Sequence, residues 1–313
     1  MVSRKNTIPA RRGLGDDFFK DLANGPLKDL AADVRRDRTL DLGIRDDYVN
    51  VYYRGGSLLR VSGSGRKYTA FFDKKYAGSD PSPQLGSFVE SDPTTWVPSI
   101  PFLKQVMDGW FDVHPKEERE VQQRIIHENN RGGMAASTDY FFCDIEYAVG
   151  QARFDLIGVH WPSNGVARKK VDDAGLVLAE VKHGDSALQG AAGIRKHVED
   201  ACRFASDPGK VRHLKEEMRD VFNQKRQLHL IDCKRDLGSF REARPVLLFI
   251  LANHDPASTV LSEVLRDLPD CPALDIRFAT SSFMGYGLFD EGIHSRGELV
   301  SLHGRKVCSQ GGR

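Results

Sequence analysis

The sequence predicts an α/β (α+β) protein with a mixed central sheet flanked by helices and preceded by a small amino-terminal β-meander. Three observations predict it. The apolar period switches from helical to alternating near residue 48. Residues from 117 to about 205 read in the order helix, three strands, helix. Residues 246–252 read VLLFILA, an unbroken apolar run that suits a strand buried on both faces.

The elements follow in order. Phe18, Phe19, Leu22, Leu27, Leu30 and Val34 recur at helical spacing over 15–38, with a break at Gly25-Pro26. Tyr48–Tyr53, Ser57–Val61 and Tyr68–Phe72 are short β-favouring runs separated by Gly55-Gly56 and Gly63-Ser64-Gly65, a three-stranded meander. Residues 77–100 are rich in Pro, Ser, Gly and Asp and read as a linker, so the chain divides into 1–95 and 96–313. Glu117–Asn130 carries Val121, Ile125 and Ile126 on one helical face, and Gly132-Gly133 stops it. Tyr140–Val149, Arg153–Trp161 and Gly175–Lys182 are strands. Asp185 or Ser186 caps a helix expected to run to about Ala205, and a charged helix follows near 210–227. Pro245–Ala252 is a strand, Ala257–Leu268 a helix and Leu274–Thr280 a further strand.

Bulk composition excludes more than it selects. The 313 residues carry a net charge of +1, so whole-molecule steering of a polyanion is not expected, and any nucleic-acid face must come from local clusters. Such clusters stand at Arg4, Lys5, Arg11 and Arg12, at Arg35, Arg36 and Arg38, and at Arg168, Lys169 and Lys170, where a solvated surface is the simpler reading of each. The five cysteines are scattered without zinc-ligand spacing, and Cys143 and Cys202 suit small buried hydrophobes. The basic amino terminus lacks an apolar core, and there is no apolar run of membrane-spanning length. These features read as a cytoplasmic protein with reduced cysteines.

The chemistry concentrates in residues 150–182. Asp155 lies inside one apolar run, and Glu180 ends another, followed two residues on by Lys182. On a strand, residues two apart share a face, so Glu180 and Lys182 project together, and a neighbouring strand brings Asp155 to them. Two carboxylates and an ammonium in one cluster can hold a hard divalent cation and activate water beside it. The acid-x-lysine pattern also occurs at Asp73-Lys74-Lys75 and Asp232-Cys233-Lys234, the second in a charged stretch that reads as helix. Only the Glu180 copy has a buried-strand context and a partner acid. The structural alternative makes Asp155 and Glu180 strand-end acids paired with Arg153 and Lys182.

Asp155 and Glu180-Val181-Lys182, flanked by Glu146, Tyr147, Gly150 and Arg153–Gly158, resemble the PD-(D/E)XK nuclease superfamily, in the style of nuclease domains from repair and phage-defence enzymes. The resemblance covers roughly residues 115–205, with an extension to about 280, and implies a restriction-endonuclease-like fold. It implies a metal-dependent nuclease that hydrolyses phosphodiester bonds, with DNA preferred over RNA. Asp155 and Glu180 would hold Mg2+ or Mn2+, and Lys182 would orient the attacking water. The resemblance also implies an acid from the preceding helix, where Glu118 fits better than Glu128, and a polar residue after the lysine, where Gln189 stands. Such relatives carry a tyrosine four positions later, whereas this chain has Gly193. Glu146 matches a strand acid of repair-type relatives. His197 could contact phosphate but suits a surface or structural role, and His183 should face away from the cluster.

Two other functions compete. A catalytically silent nuclease-fold module would act by binding nucleic acid or a partner protein, although three charges kept on an apolar sheet argue against it. An adaptor would use the aromatic meander (Tyr52 and Phe71 among its residues) to dock a partner protein or a second copy. Gly63–Lys67 lacks the Gly-Lys-Ser/Thr ending of a phosphate loop, and no GxSxG or HExxH occurs.

Overall fold

The computed structural model describes residues 12–64, 67–77, 96–133, 135–150, 152–254, 258–281, 290 and 293–302. The basic residues Arg4, Lys5 and Arg11, most of the expected linker, the tip of the Gly63–Lys67 turn and Cys308 lie outside the described residues. The fold is α+β, with one four-stranded antiparallel sheet and one six-stranded mixed sheet. Among the described residues no helix is long and apolar enough to cross a membrane.

The amino-terminal helices α1 (Asp16–Asn24) and α2 (Lys28–Arg36) break where Gly25-Pro26 predicts. The sheet after them has four strands, not three: β1 (Leu40–Ile44), β2 (Tyr48–Tyr53), β3 (Gly56–Ser64) and β4 (Lys67–Phe71) pair in sequence order. β1 escapes a propensity reading because Asp41 and Gly43 are poor strand formers. In the fold, Asp41 is buried against Lys225, and Leu40, Leu42 and Ile44 pack in the core. The β2–β3 turn has Arg54 at φ 49° and Gly55 at φ 70°, the two positive angles of a hairpin turn that matches strand twist. Gly55 is required twice over, because a Cβ there would stand 2.3 Å from the Cβ of Arg119.

Helix α3 (Ile100–Val113) lies where the linker was expected to end, and buries Ile100, Leu103, Met107 and Phe111 at helical spacing. Then come α4 (Glu117–Asn130), β5 (Tyr140–Val149), β6 (Ala152–His160), β7 (Gly175–His183), α5 (Ile194–Ala205), α6 (Pro208–Gln227), β8 (Val246–Ala252), α7 (Thr259–Arg266), β9 (Asp275–Ser281) and β10 (Ile293–Ser295). The helix expected from Asp185 is corrected. Residues Asp185–Leu188 form a 3-10 turn, Gly190 takes φ 82°, and α5 starts only after Gly193. A left-handed residue cannot continue a helix, so those glycines set its start. Asp232-Cys233-Lys234 is likewise not helical; it follows the end of α6.

The large sheet runs β10-β9-β8-β7-β6-β5. β5, β6 and β7 form an antiparallel meander, while β7, β8 and β9 are parallel. Alternation on β7 and β8 sorts the two faces. Leu176, Leu178, Leu247 and Phe249 pack with Ile194, Val198 and Ala201 of α5. Val177, Ala179, Val181, Leu248 and Ile250 pack with Val121, Ile125 and Ile126 of α4. Both segments of the chain share the first of these cores, which runs from Leu14 to Leu299. At their junction the carboxylate of Asp144 on β5 accepts from Nε of Arg12 at 2.8 Å and from Nη1 of Arg45.

The expectation of unpaired cysteines fails at two positions. Cys202 on α5 is joined to Cys271, in the loop between α7 and β9, across a separation of 69 residues that has no sequence signature. Cys143 is free and buried, as expected, and Cys233 is free.

Candidate active site at the fork between β6 and β7

Strands β6 and β7 pair from His160↔Gly175 to Leu156↔Ala179, and there the ladder ends. The next amide that a partner strand would satisfy, that of Val181, donates instead to Oδ2 of Asp155 at 2.8 Å. A carboxylate thus replaces a backbone carbonyl as acceptor, and the strands part around it. On the other side of β6, Glu146 takes φ 55° and interrupts the ladder with β5 between Ile145↔Leu156 and Tyr147↔Phe154. Meanwhile β7 stays paired to β8 through Glu180↔Phe249 and Lys182↔Leu251. One buried strand therefore carries Glu180 and Lys182 rigidly to the mouth of the fork.

Four ionisable groups and a histidine meet there. Glu180 and Lys182 are only 1% and 5% exposed, on the face that α5 covers. His197, in the first turn of α5, bridges them: its Nδ1 lies 3.2 Å from Oε2 of Glu180 and its Nε2 3.2 Å from Nζ of Lys182. Nε2 also lies 3.1 Å from the carbonyl oxygen of Ala192. Nδ1 faces a carboxylate oxygen, while Nε2 faces both an ammonium and a carbonyl oxygen, so whether Nε2 accepts or donates depends on the tautomer. Burial, and then the charge of Lys182, hold His197 below the usual histidine range, which keeps it neutral.

The acids are shifted the other way. Burial and the nearby charge of Glu180 push Asp155 up to about 7. Burial pushes Glu180 up to about 8 against the pull of Lys182. Glu118, at the start of α4, is raised by burial, with Asp155 adding to the rise and Lys182 opposing it. Its carboxylate is also helped by the backbone amide of His183. Among the described residues, Glu180 Oε1 is buried and has no hydrogen-bond partner. A buried carboxylate oxygen left bare is costly, and a cation placed against it removes that cost.

The structure thus brings together Asp155, Glu180, Lys182 and Glu118. It adds His197, which a surface or structural role had been expected to explain. Gln189 is not brought in: it is exposed, lies on no helix, and lines a separate recess with Gly190, Arg195 and Glu263. Glu146 is also outside, exposed and 2.9 Å from Nη2 of Arg119. Glu128 sits at the far end of α4 beside His127. His183 faces away from the cluster as expected, with Nδ1 3.2 Å from Oε2 of Glu117. His197 was legible only with the start of α5 in the right place. Counted from Gly193 rather than from Asp185, it falls in the first turn, over the end of β7.

A divalent cation fits this donor set. Asp155 and Glu180 supply hard anionic oxygens, and Glu180 Oε1 lacks any other partner. Among the described residues no three His, Cys, Asp or Glu side chains close into a metal cage. Such a pair suits magnesium, which takes one or two carboxylates and fills its octahedron with water and phosphate oxygens. Compared with known proteins, the chain matches no family model, no curated protein and no solved structure.

Proposed function

We propose that the protein is a metal-dependent nuclease that hydrolyses phosphodiester bonds, with DNA as the preferred substrate over RNA, as the PD-(D/E)XK resemblance implies. The observation that carries this reading is the meeting of Asp155, Glu180 and Lys182 at a fork in the sheet, with one Glu180 oxygen buried and bare.

Asp155 and Glu180 would hold Mg2+ or Mn2+, which when bound neutralises phosphate charge and lowers the pKa of a coordinated water. The chain's own groups do the rest. Lys182, buried and fixed on a core strand, presents a compact positive charge to the developing charge on the phosphate oxygens. His197 holds the Lys182 ammonium from one side and Glu180 from the other, so both point into the fork. Glu118 adds a carboxyl, raised by burial, that can exchange a proton with a water. The apolar cores on both faces of β7 keep these groups in place before substrate arrives.

The test is cleavage of linear, circular and single-stranded DNA and of RNA, with Mg2+, Mn2+ or EDTA, in wild type and in Lys182→Ala and Asp155→Ala. Cleavage is expected only with metal. Lys182→Ala should lower the rate by about 10²- to 10³-fold while leaving metal binding by calorimetry close to wild type. Asp155→Ala should lose both. Metal-independent cleavage, or full activity in Lys182→Ala, would sink the assignment. Metal binding without cleavage of any substrate would turn the reading into that of a silent nuclease-fold module.

A further inference from the structure

Three helices end at one place on the far side of α4. The carboxyl ends of α2, α4 and α6 converge on a recess of about 430 Å³, and each delivers basic side chains to it: Arg35 and Arg38 from the end of α2, His127 and Arg131 from α4, Arg226 and His229 from α6. Among the described residues the lining holds one carboxylate, Asp232.

Helix ends carry partial negative charge, and arginines placed there act as caps. Capping accounts for part of the cluster. Arg131 donates to the carbonyls of Val34, in the last turn of α2, and of Leu40, at 2.7 and 2.6 Å. Arg226 is paired with Asp236 at 2.6 Å. Capping leaves three facts over. Arg35 and Arg38 are exposed and make no ion pair among the described residues. Among the described residues, Arg131 has two backbone carbonyls but no carboxylate within salt-bridge distance, and Asp41 and Asp37, whose charges act on it, are committed to Lys225 and Lys104. Burial lowers the pKa of Arg131 against the pull of Asp41 and Asp37, and burial followed by the charge of Arg131 lowers that of His127.

His229 is the third. The amide of Leu230 donates to the carbonyl of Lys225 and that of His229 to the carbonyl of Arg226, a Schellman closure of α6. His229 stands at the left-handed position of that closure, with φ 57°. Glycine occupies this position at no steric cost, whereas a side chain strains it. Here the strained residue presents an imidazole to the recess. Strain kept where glycine would relieve it directs attention to what the side chain does.

We propose that this recess is a phosphate-binding site that holds the backbone of a nucleic-acid strand at a place separate from the acidic cluster. The shared chemistry is a phosphate oxyanion met by guanidinium forks. A strand is preferred to a free phosphate because α4 links the recess at its carboxyl end to the acidic cluster at its start. An adjoining cavity of about 620 Å³ shares Arg38 and His127 and adds Arg124, while its Arg54 is paired with Asp108 and Glu120 and its lining also holds Glu128. That choice of occupant rests on the nuclease reading. Glu118 and Arg131 stand about 20 Å apart along α4, a span of about six nucleotides at 3.4 Å each. The recess would anchor a strand at one end of this helix while the fork receives a phosphodiester at the other.

The test is binding of a fluorescent single strand of about 12 nucleotides to the full chain in EDTA, by anisotropy over a range of salt, with inorganic phosphate as competitor. Arg35→Glu and Arg38→Glu change exposed side chains and should fold. Each is expected to weaken binding about tenfold and to lower the salt slope by about one. His229→Gly is expected to weaken binding severalfold while raising the melting temperature, an opposition that a purely structural role does not produce. Unchanged affinity in both arginine variants, or absence of strand binding by the wild type, would overturn the proposal. So would inorganic phosphate that binds without displacing the strand. The nuclease reading fails separately: absence of cleavage beside recess-dependent binding would remove the reaction and leave the site.

Discussion

Replacing Glu180 by glutamine is expected to abolish metal-dependent cleavage and, in EDTA, to make the protein more stable. The two effects share a cause. Glu180 is buried, one of its oxygens has no partner, and its pKa is pushed up to about 8 by that burial. An unfolded glutamate titrates near 4.3. Below about pH 4 the side chain is protonated folded or unfolded, and its burial carries no ionic penalty. Between about pH 4 and pH 8 the folded state keeps a proton that the unfolded state releases, so stability falls as pH rises through this window. Asp155, at about 7, adds to the same slope over its lower part. Glutamine does not titrate, so the variant should lose less stability between pH 5 and pH 8, by on the order of 2 kcal/mol. A divalent cation works against the penalty because it binds the deprotonated acids. Mg2+ should therefore raise the melting temperature of the wild type most above pH 7 and leave Glu180→Gln unmoved. The rate loss is expected to be about 10³-fold or more. Denaturation at the two pH values and cleavage assays on one preparation check both halves. A variant that is less stable than wild type at pH 8 in EDTA would remove the argument from burial.

The second large effect is expected far from the fork. Asp144→Asn should destabilise the protein by about 3–5 kcal/mol. Asp144 has a fully buried side chain that faces two guanidiniums, Arg12 and Arg45, and also accepts from the backbone amide of Ile145. Arg45 is itself buried; burial alone would pull its pKa down, and the charge of Asp144 outweighs that and raises it. Asparagine keeps the shape and removes the charge, leaving two buried cations to face each other. Breaking one side of such a group costs much more than the intact group contributes. Urea denaturation checks the size of the loss, and a double variant, Asp144→Leu with Arg45→Met, should recover part of it. A loss below about 1 kcal/mol in Asp144→Asn would show that solvent reaches the triad.

The strand and helix pattern from residue 117 onward was legible because its apolar runs are long and their periods clean. Glu180 and Lys182 were legible from a spacing of two on a strand, and Asp155 from its place inside the preceding apolar run. Glu118 was legible as the acid that opens the helix packed on β7. What the pattern hid has physical reasons. β1 is a strand whose Asp41 is made tolerable by Lys225, 184 residues away, and no local signal carries that pairing. α3 has clear helical spacing, but it follows directly on a stretch rich in Pro, Ser and Gly, and the second part was read as opening only with the helix at Glu117. His197 was misplaced because Asp185 and Ser186 look like helix caps, whereas Gly190 and Gly193 decide the start. The recess is assembled from three helix ends distant in sequence, so its arginines read as ordinary solvated surface until the fold joins them.

The Cys202–Cys271 bond closes a ring of chain that contains α6, β8 and α7. Unfolding with the ring intact leaves that stretch tethered at both ends, and a closed loop of this length withholds about 4 kcal/mol of disorder from the unfolded chain on the chain-entropy account. Of the three parallel strands, β8, the central one, lies within the ring, and parallel strands need long crossovers to meet. The antiparallel half, which carries Asp155, assembles through short hairpins and needs no such tether. A reductant should therefore lower the melting temperature by loosening the scaffold behind Glu180 and Lys182, without touching any group in the fork itself.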